Sequence, residues 1–137
     1  MCSSDLGAFE RHPNLKVLFS ECRIGWVPFA IEWCDRQTEE RAPDPSAPLS
    51  MLPSEYAKRN CGFTFEEDYV GCEMMKLDWC NLGDVAIWGS DYPHPQGTWP
   101  DVSIPIDKMF DGVDPAIKQR VLWDHAAEMF RIKGPGN

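Results

Sequence analysis

The chain has no apolar run long enough to cross a membrane. A membrane-spanning helix needs about 18 or more consecutive apolar residues, and the 137 residues contain no such run. Residues 1–20 also lack the basic start and apolar block of a secretory signal. These absences predict a cytoplasmic protein without a membrane partner.

Positive charge is also scarce. Lys and Arg number 13 against 22 Asp and Glu, which gives a formal net charge of −9. Such a surface repels the phosphates of nucleic acids and of anionic lipids. Nucleic acid is therefore excluded as a partner, and a small-molecule substrate is expected instead.

The sequence lacks any Cys-x-x-Cys pair, which argues against a zinc ribbon or a dithiol redox motif. A disulfide framework is an alternative that no secretory context supports. We expect reduced, mostly buried thiols at the six cysteines, Cys2, Cys22, Cys34, Cys61, Cys72 and Cys80.

Apolar runs and helical patterns alternate along the chain, in the order that is typical of parallel βα units with strands buried on both faces. Strands are predicted at 15–19, 61–65 and 85–88, and helices at 26–41, 69–79 and from Asp114 onward.

Two finer features of the helices can be predicted. Trp26, Phe29 and Trp33, together with Ala30, have the spacing of one apolar helix face. Glu32 and Arg36 have the spacing of an ion pair on the opposite side. Four prolines mark 42–53 as a surface excursion, and Ser54 is expected to cap a short helix at 54–60.

Acidic residues follow each predicted strand: Glu21, then Glu66 or Asp68, then Asp91. Parallel strands place their carboxyl ends on one rim, where the chemistry of such folds is found. Carboxylates gathered there raise one another's pKa or require a cation such as a divalent metal. The alternatives are a turn-capping role for Asp91 and helix-capping roles for Glu66 and Asp68.

The segment Gly89-Ser-Asp-Tyr-Pro-His94, followed by Thr98-Trp-Pro100, resembles the last barrel strand of the metal-dependent amidohydrolase family. The closer resemblance is to the branch that contains aminocarboxymuconate-semialdehyde decarboxylase and its hydrolase relatives. Residues 12–28 resemble the family's sixth strand and the helix after it, and 121–132 resemble its final helix. This implies an α/β fold, the C-terminal part (about three βα units) of a TIM-type (β/α)8 barrel.

The resemblance also implies roles for individual residues. Asp91 matches a metal ligand that can take a proton from the attacking water. One divalent metal, zinc as first choice, is implied, although the family's ligands on the first and fifth strands are absent from this chain. Glu21 stands where many relatives carry His, and it is a candidate acid or base, a substrate contact, or an ion-pair partner of Arg23. The expected substrate-binding residues are His94, Tyr92, Trp99 and Arg23.

The activity implied for the intact parent is hydrolysis of a C–N or C–O bond, and non-oxidative decarboxylation on the same fold is the alternative. A homodimer of the parent is compatible with the resemblance. A hypothesis of another class is a small, non-catalytic α/β binding domain, whose edge strands would have to remain exposed. Expressed alone, a fragment is expected to be insoluble or metal-free, whereas a binding domain should be monomeric and melt cooperatively.

The length bears on the domain boundaries. A closed barrel needs roughly 250 residues, so we expect residues 7–137 to be the C-terminal portion of a single barrel domain that is inactive alone. The first six residues back-translate to a sequence that resembles a sequencing adapter, and they are expected to be a non-native leader.

The source locus tests this expectation. Upstream of codon 7, the open reading frame is expected to continue for roughly 200 codons, the length that a complete barrel requires, and to encode a first-strand metal motif. Sequencing the locus from an independent library checks this. A native start codon just upstream, or genomic codons for residues 1–6, would contradict it.

Overall fold

The computed structural model describes residues 7–40, 48–77, 79–95 and 97–134. The expected leader at 1–6, with Cys2, and much of the proline-rich excursion lie outside these residues. Within them, no helix is both long enough and apolar enough to cross a membrane.

The centre of the fold is a sheet of three parallel strands in the order β1-β2-β3. The strands are β1 (Val17–Phe19), β2 (Cys61–Phe65) and β3 (Ala86–Trp88). Their register places Phe19 opposite Phe63, and Phe65 opposite Trp88. The predicted parallel βα arrangement is therefore confirmed, and the carboxyl ends of all three strands lie on one edge.

Seven α-helices and two irregular turns surround the sheet in the described residues. A 3-10 turn (Asn81–Asp84) precedes β3, and a π turn (Arg120–Asp124) joins the last two helices. The helices are α1 (Ala8–Arg11), α2 (Val27–Glu40), α3 (Pro53–Asn60), α4 (Tyr69–Met74), α5 (Ser103–Met109), α6 (Pro115–Gln119) and α7 (His125–Phe130).

The burial of the strands differs from the expectation at one edge. Four of the five residues of β2 are buried, as predicted. In β1, by contrast, Leu18 is exposed and its two neighbours are only half-buried. The expectation of burial on both faces was wrong for β1, because no other described residue covers the Leu18 side chain fully.

The predicted apolar face of α2 is also on the surface. Phe29 is 68% exposed, and Trp26 and Trp33 are exposed too, whereas the fully buried residue of this helix is Val27. Trp26 is anchored at its base, because its indole nitrogen donates a hydrogen bond to the Cys22 carbonyl (2.8 Å).

Three local predictions were wrong. Helix α3 begins at Pro53 rather than being capped by Ser54, and the Glu55 carboxylate accepts a bond from the Leu52 amide (2.8 Å). Helix α4 ends at Met74, well short of residue 79. Arg36 pairs with Glu40 (2.7 Å) and not with Glu32.

The described cysteines form no disulfide. Cys61, Cys72 and Cys80 are buried, whereas Cys22 and Cys34 are half-buried. Burial raises the pKa of the Cys61 thiol to about 11 and that of Cys72 to about 12. These two thiols therefore stay protonated at neutral pH and are poor nucleophiles.

His125 is a buried histidine that contacts the sheet. The Val85 carbonyl and the Gly89 amide bond to β2, so the intervening Ala86 carbonyl faces the opposite edge of β3. The His125 Nδ1 lies 3.1 Å from that carbonyl and donates to it. Burial lowers the pKa of His125, with the Arg120 charge adding to the effect, so the ring is neutral.

The pH dependence of stability follows from this contact. The folded state binds a proton at His125 less readily than the unfolded state does. The contribution of His125 to the free energy of unfolding is therefore complete above about pH 6.5 and is lost as the pH falls below that value. When the pH is lowered from about 7.5 to about 5.5, the unmodified chain should lose more free energy of unfolding than the variant His125→Asn. The Asn side chain keeps a hydrogen-bond donor but does not titrate.

Urea unfolding of both proteins at the two pH values measures this difference. His12→Asn is the matched control, since it replaces an exposed histidine by the same residue and leaves the contact between His125 and Ala86 in place. Equal losses in the chain and in His125→Asn would contradict the assignment.

Candidate functional site

The loop after β1 places Glu21 above the carboxyl end of the sheet. The Glu21 amide donates to the Thr64 hydroxyl (2.8 Å), and the Cys22 amide donates to the Thr64 carbonyl (3.2 Å). Thr64 belongs to β2, so the central strand fixes the backbone that carries Glu21. The Glu21 side chain is exposed.

The loop after β3 begins with Asp91. The carboxylate of Asp91 is only 17% exposed, and its Oδ1 lies 2.9 Å from Nδ1 of His94, whose ring is 60% exposed. The His94 amide also donates to the Asp91 carbonyl (2.9 Å), which closes a tight turn. Asp91 is thus held inward, and His94 is held over it.

These two loops meet. Glu21, Asp91 and His94 each present one potential ligand atom, and the three atoms lie within 4.8 Å of one another. Two oxygens and one nitrogen at such spacing can hold a divalent cation of the hard or borderline class. We call Glu21, Asp91 and His94 the rim trio.

The backbone around the rim trio is strained. Glu21, Arg23 and Asp91 all have left-handed conformations, with φ of 53°, 56° and 55°. Non-glycine residues adopt this region at a cost of order 1 kcal/mol each, and they cluster at functional sites. The two carboxylates of the rim trio both stand on such residues.

Asp68 does not reach this rim. Its carboxylate is buried and accepts three main-chain bonds, from the amides of Ile24 (2.7 Å), Gly25 (2.8 Å) and Gly71 (2.9 Å). Asp68 therefore caps α4, which was one of the two predicted alternatives. It also binds the end of the loop that carries Glu21.

Arg23 has other partners than Glu21. Its guanidinium donates to the Glu67 carbonyl (2.8 Å) and lies 3.6 Å from the Glu66 carboxylate. An ion pair between Glu21 and Arg23 was one of the predicted alternatives. In the structure, Arg23 pairs with Glu66 instead. The Arg23 side chain remains largely exposed, and Glu21 keeps its carboxylate for other contacts.

Tyr92 and Trp99 form an exposed aromatic pair beside Asp91. Their rings meet edge to face at 5.4 Å, and each residue is about two-thirds exposed. Between them in sequence, the Thr98 amide donates to the Ser90 carbonyl (3.0 Å). A Cβ on Gly97 would lie 2.6 Å from that same carbonyl, so the turn requires glycine.

Two contacts that position the site were not predicted from the sequence. Thr64 interrupts an otherwise apolar strand, and that irregularity was an available signal for a hydroxyl with a local task. Helix capping was one of the two predicted alternatives for Asp68, but nothing in the sequence indicates its bonds to Ile24 and Gly25, which lie more than 40 residues away.

Comparison with known proteins relates the chain to an enzyme family. The family model described as Amidohydrolase matches residues 5–132. No curated protein matches the chain. A solved structure of 5-carboxyvanillate decarboxylase LigW from Sphingomonas paucimobilis matches with a TM-score of 0.67 and 23% identity, over 93% of this chain. The chain spans 37% of that protein, and the likeness at this identity is one of fold.

Asp68 provides a test of how the site is held. Asp68→Asn places an amide group against main-chain donors, so one or more of them loses its acceptor. The expected cost is about 1–3 kcal/mol of unfolding free energy, measured by urea denaturation.

Asp114→Asn is the matched control. Asp114 is the exposed cap of α6 and accepts a single bond from Ala116 (2.7 Å). Asn is as good a cap as Asp, so we expect a change below about 0.5 kcal/mol. Similar small losses in both variants would show that the buried carboxylate is not a special support.

Proposed function

The chain belongs to the amidohydrolase family, and we propose that it supplies the metal-binding rim of a hydrolase that cleaves a C–N or C–O bond. The observation that carries the proposal is the rim trio, in which ligand atoms of Glu21, Asp91 and His94 lie within 4.8 Å of one another. In the intact parent, ligands from further strands would complete the site.

The donor set fits the metal that the family implies. Carboxylate and imidazole ligands suit zinc and manganese, whereas a magnesium or calcium site would be built from oxygen alone. Asp91 is the better-placed ligand of the two carboxylates, because its side chain is mostly buried and its orientation is fixed by His94. When bound, the metal would lower the pKa of a water molecule and polarise the substrate carbonyl.

Asp91 would then carry out both proton transfers. Asp91 would hold the metal with one oxygen and accept a proton from the attacking water with the other, which lies 2.9 Å from His94 Nδ1. The same proton would then pass from Asp91 to the departing nitrogen or oxygen. This assigns Asp91 the role of base and then of acid, while Glu21 would stay ionised as a metal ligand and substrate contact.

The substrate would contact the aromatic pair and Arg23. The exposed rings of Tyr92 and Trp99 offer an apolar surface beside Asp91. The Arg23 guanidinium, largely exposed and steadied by Glu66 and Glu67, suits a substrate carboxylate.

A second candidate is non-oxidative decarboxylation. It is favoured by the fold match to a protein that is itself a decarboxylase. On the same rim, a proton held by Asp91 would be transferred to the substrate carbon, the C–C bond to the carboxylate would break, and CO2 would leave.

Metal binding tests the rim trio directly. Isothermal titration of the metal-free protein that the complete reading frame encodes, with Mn2+ and in parallel with Zn2+, should give one site per chain. Mn2+ is included because thiols bind it poorly. Asp91→Asn and Glu21→Gln should each weaken the affinity by about tenfold or more, because each removes one charged ligand.

Glu67→Gln is the matched control. It removes a carboxylate of the same acidic neighbourhood that does not belong to the rim trio, and it should leave the affinity unchanged. Binding that is insensitive to Asp91 and Glu21 would overturn the site.

The reaction is tested on the metal-loaded protein that the complete reading frame encodes. Release of CO2 from an aromatic acid, without cleavage of amides, esters or lactones, would move the assignment to the decarboxylase.

A further inference from the structure

A groove of about 620 Å³ lies between α2, α3 and residues 79–85. Its lining includes none of the residues Glu21, Asp91 and His94. It is therefore a feature separate from the metal rim. Its volume lies within the range of pockets that bind small organic molecules, about 300–1,000 Å³.

The base of the groove is apolar and firmly packed. Val27 of α2, together with Leu82 and Val85 from the segment before β3, contributes to it, and all three residues are buried. Ile31 extends this surface along α2. An apolar group placed against these side chains would lose part of its contact with water, which favours its binding.

The cations that line the groove already have partners. Lys58 pairs with Asp84 (2.6 Å), and Arg36 pairs with Glu40 (2.7 Å). Neither is positioned to neutralise the remaining acids, so an anionic ligand is disfavoured.

Two acids on α2 keep their charge exposed. Glu32 and Glu39 line the groove two helical turns apart, and both are exposed. Arg36 lies between them in sequence but is paired with Glu40. Within the described part of the chain, neither the Glu32 nor the Glu39 carboxylate has a hydrogen bond or an ion pair.

An aromatic ring completes the lining. Trp79 is 69% exposed although it contributes to the same groove. Tryptophan is the aromatic side chain that attracts cations most strongly, and a cation above an exposed indole ring gains about 0.5–1 kcal/mol.

We propose that this groove binds an organic cation with an apolar arm, such as an arylalkyl ammonium ion. The arm would lie on Val27, Leu82 and Val85. The ammonium group would face the indole of Trp79 and one of the two carboxylates, Glu32 or Glu39, which lie about 10 Å apart along the helix. A metal ion is a poor occupant, because much of the surface it would meet is apolar.

A series of three probes of matched size tests the proposal on the unmodified chain. The probes are 2-phenylethylammonium, 2-phenylethanol and 3-phenylpropanoate, which share the arm and differ in charge. Titration followed by amide NMR shifts should show the cation binding about tenfold more tightly than the alcohol. The carboxylate should bind more weakly than either, and the shifts should map to α2 and residues 79–85.

The double variant Glu32→Gln/Glu39→Gln should bring the cation and the alcohol to nearly equal affinity. Asp111→Asn is the matched control, since it removes one exposed charge outside the groove and should keep the preference. Equal binding of the three probes, or shifts confined to other surfaces, would overturn the proposal.

Sedimentation at several concentrations excludes another occupant. If a second copy of the chain covers the groove, self-association should rise with concentration and the cation should fail to bind, which also overturns the proposal. The result is independent of the rim trio, because Asp91→Asn should leave cation binding unchanged.

Discussion

The candidate site depends on one buried carboxylate. Asp68 accepts hydrogen bonds from the beginning of α4 and from Ile24 and Gly25 at the end of the loop after β1. It thus joins two successive βα connections from below the rim. A Cβ on Gly71 would lie 2.4 Å from Ile24, so the two segments also touch without a gap. The left-handed residues Glu21 and Arg23 stand on a loop that is fixed from beneath.

This support explains how the rim trio can form at all. β1 and β3 are separated by β2, so their ends lie roughly 9–10 Å apart. The ligand atoms of Glu21 and Asp91 nevertheless come within 4.8 Å. Both loops must therefore turn inward over the end of β2, and the positive φ angles at Glu21 and Asp91 accompany those turns. Thr64 of β2 binds one of the loops at the point where they converge.

The strands, their parallel order and the acidic rim could be predicted from the sequence, because these features depend on local hydrophobic pattern and on the direction of the chain. Which acid turns inward could not be predicted. Asp68 and Asp91 each follow a strand, yet one is buried under a loop and the other faces the rim. Helical periodicity located the apolar face of α2 that contains Trp26. It could not show that this face is exposed, since exposure depends on which other elements pack against it. The preference of Arg36 for Glu40 over Glu32 is likewise a matter of rotamers that spacing alone does not determine.

The hydrogen bond between His125 and Ala86 has a consequence for the edge of β3 that pairs with no other strand of the described residues. Ala86 faces away from β2, and its carbonyl is already engaged by the buried imidazole. Trp88 is the next residue of β3 that faces the same way. Another strand that aligned along this edge would meet an occupied acceptor at Ala86 and would have to form its ladder farther along, toward the end that carries Asp91. A side chain of the last helix thus restricts the register in which any neighbouring strand can pair with β3.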